Sequence, residues 1–98
     1  PRKPLAAVLK PVLKELGMAE GDLRRHGLAM GDRKRMAIEL LCQLSCATQR
    51  EVAPLCGYGR ESSVGKQRRV LHGRLSDDSA FERRFQGLRK KVEDMLEC

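Results

Sequence analysis

The residues best suited to chemistry lie in the stretch GYGRESSVGKQRRVLHGRL, residues 57–75, where a turn with two glycines leads into hydroxyl, amide and cationic side chains. Such groups donate hydrogen bonds to base edges in the major groove of DNA, and guanidinium groups bind phosphates. The spacing predicts a helix that begins near Glu61 and turns Val64, Leu71 and Leu75 inward. The stretch is therefore a candidate for reading a nucleic acid.

Within this stretch the side chains divide by the part of DNA that they could reach. Those in the first turns of the helix are suited to base edges: Ser62, Ser63, Lys66 and Gln67. Those suited to phosphates are all arginines: Arg60, Arg68, Arg69 and Arg74. Gly65 costs a helix about 1 kcal/mol relative to alanine, which predicts that its backbone closely approaches another group.

A second basic cluster, Arg33, Lys34 and Arg35, follows Asp32, which we expect to be the N-cap of a helix over residues 33–44. Cations in the first turn of a helix oppose its dipole by some tenths of a kcal/mol each. Helix stability alone therefore does not account for three of them together. An external anion would account for them.

Helical periodicity extends along the rest of the chain, and no strand alternation appears. A first helix is predicted over residues 4–16, kinked or divided into two pieces at Pro11. A second covers residues 19–26, with Met18 and Leu23 inward and Gly27 at its end. Residues 28–31 then form a link. The prediction is an all-α fold of about six helices.

Two helix starts carry capping signals. Thr48 and Glu51 have the spacing of a capping box, which predicts a helix of about two turns that ends at the glycines of residues 57–59. Asp77 and Asp78 precede a last helix whose Phe81 and later apolar residues recur every three or four positions. Two helices joined by a tight turn, the second polar and basic at its start, predict a central helix-turn-helix.

Composition narrows the class of partner. The 98 residues predict one small domain, and 20 Lys and Arg against 13 Asp and Glu give a formal charge of +7, which favours a polyanion. The three aromatic residues are too few to stack unpaired bases, so duplex DNA is favoured over single strands. The sequence has no run of about 18 apolar residues, so no membrane span is predicted. We expect a soluble cytoplasmic fragment of a longer protein.

No catalytic or metal site is predicted. Cys42 and Cys46 lie four residues apart within a predicted helix rather than in a zinc knuckle, so free thiols, no metal and no cofactor are expected. His26 and His72 are isolated from each other and from a nucleophile, so we do not expect this chain to be an enzyme.

Part of the chain, residues 33–75, resembles the C-terminal DNA-binding domain of the bacterial replication initiator DnaA, a Trp-repressor-like helix-turn-helix. The matching positions are Met36, Ala37, Ile38, Leu40, Leu44, Ser45, Thr48, Glu51, Val52, Gly57, Ser62, Ser63 and Val64. The resemblance implies an N-terminal helical extension over residues 1–31, a DNA-binding core over 32–76 and a C-terminal helix over 77–98.

The resemblance also implies particular contacts. Lys34, flanked by Arg33 and Arg35, matches the family's minor-groove residue, and the major-groove positions are Gly59, Arg60, Glu61, Ser62 and Ser63. The family's Arg-Asp-His triplet is missing here, so its target box is not implied. In this respect the chain is similar to the DnaA-like domains of REP-associated (IS200-like) tyrosine transposases and of their stand-alone relatives. The transposase resemblance implies a fused or upstream catalytic domain, whereas the stand-alone resemblance implies none.

Together these features predict sequence-specific binding of double-stranded DNA in the nucleoid, with no membrane partner. The DNA-binding residues are predicted to be Arg33, Lys34, Arg35, Thr48, Arg60, Glu61, Ser62, Ser63, Lys66, Gln67 and Arg69. Two alternatives are open. One is a helical protein-interaction module that uses the apolar face of the first helix, and the other is a regulatory or targeting domain of a transposase with only non-specific affinity for DNA.

Overall fold

The computed structural model of the protein describes residues 2–25 and 31–97, and all regular structure in these ranges is helical. The six helices are α1 Leu5–Leu16, α2 Glu20–Leu23, α3 Gly31–Leu44, α4 Gln49–Leu55, α5 Glu61–Asp77 and α6 Ser79–Leu96. The all-α prediction is confirmed. None of the described helices is long and apolar enough to cross a membrane.

The first helix, α1, is continuous through Pro11, so the predicted break does not occur. A proline in a helix removes the donor to the carbonyl four residues earlier, here that of Ala7. Ala7 is exposed, which leaves this carbonyl open to solvent. Val8 and Val12, both fully buried on the opposite face, hold the helix against the core.

The second helix, α2, is shorter than predicted. It ends at Leu23, with Arg24 as its C-cap. The predicted burial of Met18 and Leu23 is confirmed. The predicted end of this helix at His26 and Gly27, and most of the link after it, lie outside the described residues.

The central element is α3, which packs against α1, α2, α4, α5 and α6. Its apolar residues fill the core: Met36, Ala37, Ile38, Leu40, Leu41 and Leu44. Val64 and Leu71 of α5 and Phe85 and Val92 of α6 complete the same cluster. Because α3 already includes Gly31, Asp32 lies in its first turn and is not the predicted N-cap.

The short segment before α1 is tied to the link between α3 and α4 by backbone hydrogen bonds. The Lys3 amide donates to the Leu44 carbonyl at 3.2 Å, and the Cys46 amide donates to the Lys3 carbonyl at 2.9 Å. The start of the described chain is thereby held next to the entrance of α4.

The capping predictions at α4 and α6 are confirmed. The Thr48 hydroxyl accepts from the Glu51 amide at 3.2 Å, and the Glu51 carboxylate accepts from the Thr48 amide at 2.9 Å. At α6, the Asp78 carboxylate accepts from the Phe81 amide at 3.0 Å. Because Asp78 alone separates α5 from α6, the chain reverses sharply there.

Candidate nucleic-acid interface

A five-residue turn, residues 56–60, joins α4 to α5. The Gly57 amide donates to the Pro54 carbonyl at 3.1 Å and the Tyr58 amide donates to the Ala53 carbonyl at 2.9 Å, which closes the end of α4. Gly57 has φ +78°, in the left-handed region that glycine tolerates best. A Cβ atom at Gly57 would also lie 2.8 Å from the Arg24 carbonyl oxygen, so the turn requires glycine on two counts.

The ammonium of Lys34 fixes this turn from the inside. The residue is only 4% exposed, and its Nζ donates to the Arg25 carbonyl at 2.8 Å and the Cys56 carbonyl at 3.0 Å. The same Nζ lies 4.5 Å from the centre of the Tyr58 ring. The predicted minor-groove contact of Lys34 is therefore wrong for this structure, because its ammonium is buried and already bound within the protein.

Burial also governs the protonation of the groups around Lys34. Burial lowers the pKa of Lys34, and its electrostatic interaction with Cys56 opposes this shift. The pKa of Cys56 is raised to about 11, chiefly by burial, with the Lys34 charge opposing. Burial likewise raises the pKa of Tyr58. The Cys56 thiol is therefore protonated and unreactive at neutral pH.

Arg68, predicted to bind phosphate, points inward. Its Nε and Nη2 donate to the two carboxylate oxygens of Glu39 at 2.9 and 3.0 Å, and its Nη1 donates to the Gln49 side chain at 3.0 Å. Glu39 is 1% exposed, so the pair joins α5 to the centre of α3. The phosphate prediction for Arg68 is wrong, because its fork-shaped donor set is taken up by this carboxylate.

Further polar groups converge on Glu39. His72 lies with Nε2 2.9 Å from the Glu39 carboxylate, and Gln43 donates to the other carboxylate oxygen while accepting from Arg89 of α6. Burial alone would raise the pKa of Glu39, but the hydrogen bonds from Arg68 and Gln43 and the charges of Arg68 and His72 together hold it below its usual value. Glu39 is therefore charged at neutral pH.

Two predicted DNA contacts, Arg35 and Gln67, contact each other. The Arg35 Nε donates to the Gln67 side-chain oxygen at 2.8 Å, and its Nη1 donates to Asp32 at 3.2 Å. Asp32 also pairs with Arg74, whose guanidinium lies 4.7 Å from the centre of the Phe81 ring. Arg74 is thus held by an internal carboxylate, in contrast to its predicted contact with phosphate.

The outward side of α5 and the turn before it carry the exposed members of the predicted site. These are Arg60, Glu61, Ser62, Lys66 and Arg69, whereas Ser63 is half-buried. Arg33 is exposed at the start of α3, and Thr48 is exposed but uses its hydroxyl as the α4 cap. The fold therefore brings the α5 residues onto one surface and removes Lys34 from it.

Arg50 is a cation of this surface that the sequence analysis passed over. It is exposed in the first turn of α4 and lines a shallow concavity together with Tyr58, Gly59, Arg60 and Glu61. Its position two residues after the Thr48 cap was the available signal, because the first turn of α4 faces the same way as the loop between α4 and α5. Arg50 and Arg60 thus border one depression beside the start of α5.

Five exposed cations on α3, α4, α5 and the turn before α5 have no partner among the residues that the structure describes. Arg33, Arg50, Arg60, Lys66 and Arg69 make neither an ion pair nor a side-chain hydrogen bond there. Arg35, Arg68 and Arg74 are instead each paired with a carboxylate of α3, Asp32 or Glu39. Four of the unpaired cations, Arg50, Arg60, Lys66 and Arg69, lie on α4, α5 and the turn between them, and we name these four together with Ser62 the basic face. Arg33 lies apart from them, in a concavity that Glu15, Phe81 and Arg84 also line.

Gly65 has room for a larger side chain. A Cβ atom there would meet the Gln49 amide at 3.6 Å and the Arg69 guanidinium at 3.7 Å, both ordinary contact distances. The close approach that the sequence predicted for Gly65 is not made by any group within the described protein.

The thiols at Cys42, Cys46 and Cys56 are unlinked, and Cys98 lies outside the described residues. Across residues 2–25 and 31–97, no three His, Cys, Asp or Glu side chains are grouped so as to hold a metal ion.

The chain has no match among protein-family models, curated proteins or solved structures. Its function is therefore argued from its own residues and their geometry.

Proposed function

We propose that this protein binds double-stranded DNA by inserting the first turns of α5 into the major groove. The observation that carries the proposal is the division of the cations: Arg35, Arg68 and Arg74 are neutralised by carboxylates of α3, and those of the basic face have no partner within the described chain. Exposed, unpaired cations on either side of a helix start are suited to phosphates on either side of a groove.

Each part of the basic face has a contact that its chemistry suits. Ser62 and Lys66, one turn apart on the outside of α5, can donate to base edges, and Lys66 is suited to the O6 and N7 atoms of guanine. Arg50, Arg60 and Arg69 are suited to phosphates flanking the groove. Arg33 takes the role first assigned to Lys34, because it is the exposed cation at the start of α3.

The internal contacts of α5 support a recognition role, since a reading helix must present its side chains at fixed angles. Arg68 anchors α5 to both α3 and α4 through Glu39 and Gln49, while Val64 and Leu71 are fully buried. The residues between these anchors are thereby held outward. Such prior ordering lowers the entropic cost of binding.

The test is selection of bound duplexes from a random pool, followed by affinity measurements on the selected sequence. We expect enrichment of one motif, and we expect Lys66→Ala to lower affinity for it by about tenfold while relaxing preference at one base pair. Arg50→Ala should weaken binding to all duplexes alike. Lys10→Ala, an exposed cation on α1, is the matched control and should leave affinity unchanged.

Three other outcomes of the selection bear on the proposal. Salt-dependent binding with no enriched motif would favour the alternative of a targeting domain with non-specific affinity. No binding to any duplex at low salt would contradict the proposal and favour a helical protein-interaction module. Enrichment of repeats that flank hairpins would support a role beside a transposase catalytic domain.

A further inference from the structure

The side chain of Gln67 is held in one orientation by Arg35. An amide can present either its oxygen or its nitrogen, but a guanidinium has only donors, so the atom that faces Arg35 must be the oxygen. The distance from the Arg35 Nε to the Gln67 Oε1 is 2.8 Å, that of a well-formed hydrogen bond. The orientation of the Gln67 amide is thus fixed by its partner.

Arg35 is in turn held by its own neighbours. Its Nη1 donates to Asp32 at 3.2 Å, and Asp32 is paired with Arg74 of α5. Arg74 packs over the Phe81 ring. The guanidinium of Arg35 therefore has a carboxylate on one side and the Gln67 amide on the other, and rotation away from Gln67 would break both contacts.

The remaining polar group of Gln67 is its NH₂, which makes no hydrogen bond within the described residues. Gln67 lies on α5 one residue after Lys66 of the basic face and is half-buried at its edge. A free glutamine recognises adenine by accepting from N6 and donating to N7 at once. Because the Gln67 oxygen is turned to the Arg35 cation, which would repel a base donor approaching the same oxygen, its NH₂ is the group suited to a base contact.

We infer that Gln67, held by Arg35, reads an acceptor-bearing base in the major groove and selects guanine over adenine. Guanine presents two acceptors, N7 and O6, to the NH₂ of Gln67, whereas adenine adds an N6 donor that would face this NH₂ and the Arg35 cation. Arg35 is a positioning residue in this scheme, since it acts on base choice only through Gln67. The inference rests on the proposed binding of α5 in the major groove.

The experiment compares Arg35→Met with Arg35→Lys and the wild type on the selected duplex and its single-base variants. Arg35→Met removes the donor and frees the Gln67 oxygen, so we expect the preference at one base pair to move from guanine towards adenine by about tenfold. Arg35→Lys keeps a donor and should keep guanine. In a Gln67→Ala background, Arg35→Met should have no further effect on preference at that base pair.

A second variant tests base contact by Gln67 without disturbing Arg35. Gln67→Glu keeps an oxygen for Arg35 and turns an acceptor towards the groove, so the preference should move to cytosine, whose N4 is a donor. This change strengthens the contact with Arg35, so the variant is expected to fold. Thermal unfolding of every variant checks that differences in binding are not losses of structure.

The outcomes distinguish a failure of this inference from a failure of the proposed DNA binding. Unchanged base preference in both Arg35→Met and Gln67→Glu, with wild-type binding intact, overturns the role of Gln67 and leaves DNA binding in place. Preference for adenine by the wild type at the base pair affected by Gln67→Ala also overturns it. Absence of binding by the wild type removes both the inference and the proposed function.

Discussion

Arg33, Lys34 and Arg35 follow one another at the start of α3, yet their charged groups lie in three different surroundings. Arg33 is exposed, Lys34 is surrounded by backbone carbonyls, and Arg35 is half-buried against Gln67. Successive side chains on a helix point about 100° apart, so three neighbours cannot share one environment. Only the first of them has its charge available to an external anion.

This difference predicts opposite effects for two neighbouring substitutions. Lys34→Met should lower the free energy of unfolding by about 2 to 4 kcal/mol, because the buried Arg25 and Cys56 carbonyls lose their donor. Arg33→Met should change it by less than about 0.5 kcal/mol and should weaken DNA binding instead. Urea unfolding and binding titrations measure the two effects, and equal stability of both variants would contradict the assignment.

Gly65 offers a test of what approaches α5. Gly65→Ala should raise the free energy of unfolding by about 0.5 to 1 kcal/mol, because alanine favours the helix and its Cβ meets only ordinary contacts. If a DNA backbone or base lies close to Gly65 in the complex, the same variant binds more weakly despite its greater stability. Thermal unfolding and affinity on one sample separate the two, and a less stable variant would contradict the contacts described.

The sequence predicted the position of α5 but not the partners of its side chains. Types and spacing identified Ser62, Lys66 and Arg69 as polar residues on α5, and all three are exposed. The same reasoning assigned Lys34 and Arg68 to DNA. The local sequence around a cation does not reveal which carboxylate or carbonyl a distant part of the chain will bring next to it. Arg68 and Glu39 are 29 residues apart, and only tertiary packing brings them together.

At the level of elements, the turn between α4 and α5 is held by parts of the chain outside the two helices. The Arg24 carbonyl lies directly against Gly57, and the Lys34 ammonium donates to the carbonyls of Arg25 and Cys56. The angle between α4 and α5 therefore depends on the segment after α2 and on α3 as well as on local turn geometry.

Two glycines of the same turn should respond differently to alanine. Gly57→Ala combines a left-handed φ with a contact of 2.8 Å to the Arg24 carbonyl, and should cost about 2 to 4 kcal/mol. Gly59→Ala meets nothing within 4 Å and should cost less than about 1 kcal/mol. Chemical denaturation gives both values, and a tolerated Gly57→Ala would contradict the turn geometry.

The Glu39 cluster predicts a specific loss of stability in acid. The pKa of Glu39 is lower in the folded than in the unfolded chain, so its contribution is present above the unfolded value of about 4.3 and is lost as the pH falls below it. Glu39→Gln should lower stability at pH 7 by about 2 to 4 kcal/mol by leaving Arg68 unpaired. It should also flatten the stability profile between about pH 5 and pH 3.

Unfolding followed at several pH values tests this prediction. Gln43→Ala is the control, because it removes a hydrogen bond from the cluster but keeps the carboxylate and its titration. A Glu39→Gln profile as steep as that of the wild type would show that other carboxylates cause the acid sensitivity.

Helix positions were more predictable than helix ends. The apolar spacing of α3, α5 and α6 identified the buried residues, because burial of one helical face is a local property of the sequence. Two of the errors lay where tertiary contact overrode a local rule. Pro11 is accommodated within α1, whose Val8 and Val12 are packed in the core, and Asp32 pairs with Arg74 of α5 rather than capping α3.

For the whole molecule, the three arginines of the basic face assigned to phosphates, Arg50, Arg60 and Arg69, set the expected dependence of binding on salt. If each contacts one phosphate, the slope of log affinity against log salt should be about −3, and each alanine substitution should reduce its size by about 1. Fluorescence anisotropy titrations at salt concentrations from about 50 to about 300 mM measure this slope. A slope near zero would contradict phosphate binding.

If α5 binds DNA as proposed, the bond from Arg68 to Glu39 allows the protein to change its target without losing its fold. Because Arg68, Val64 and Leu71 fix α5 from its inner side, the outer positions 62, 66 and 69 contribute little to folding. Mutations at these outer positions can accumulate without unfolding the domain, so new DNA preferences are open to evolution or to library selection on an unchanged scaffold. A library that varies only these three codons is the natural starting point for such retargeting.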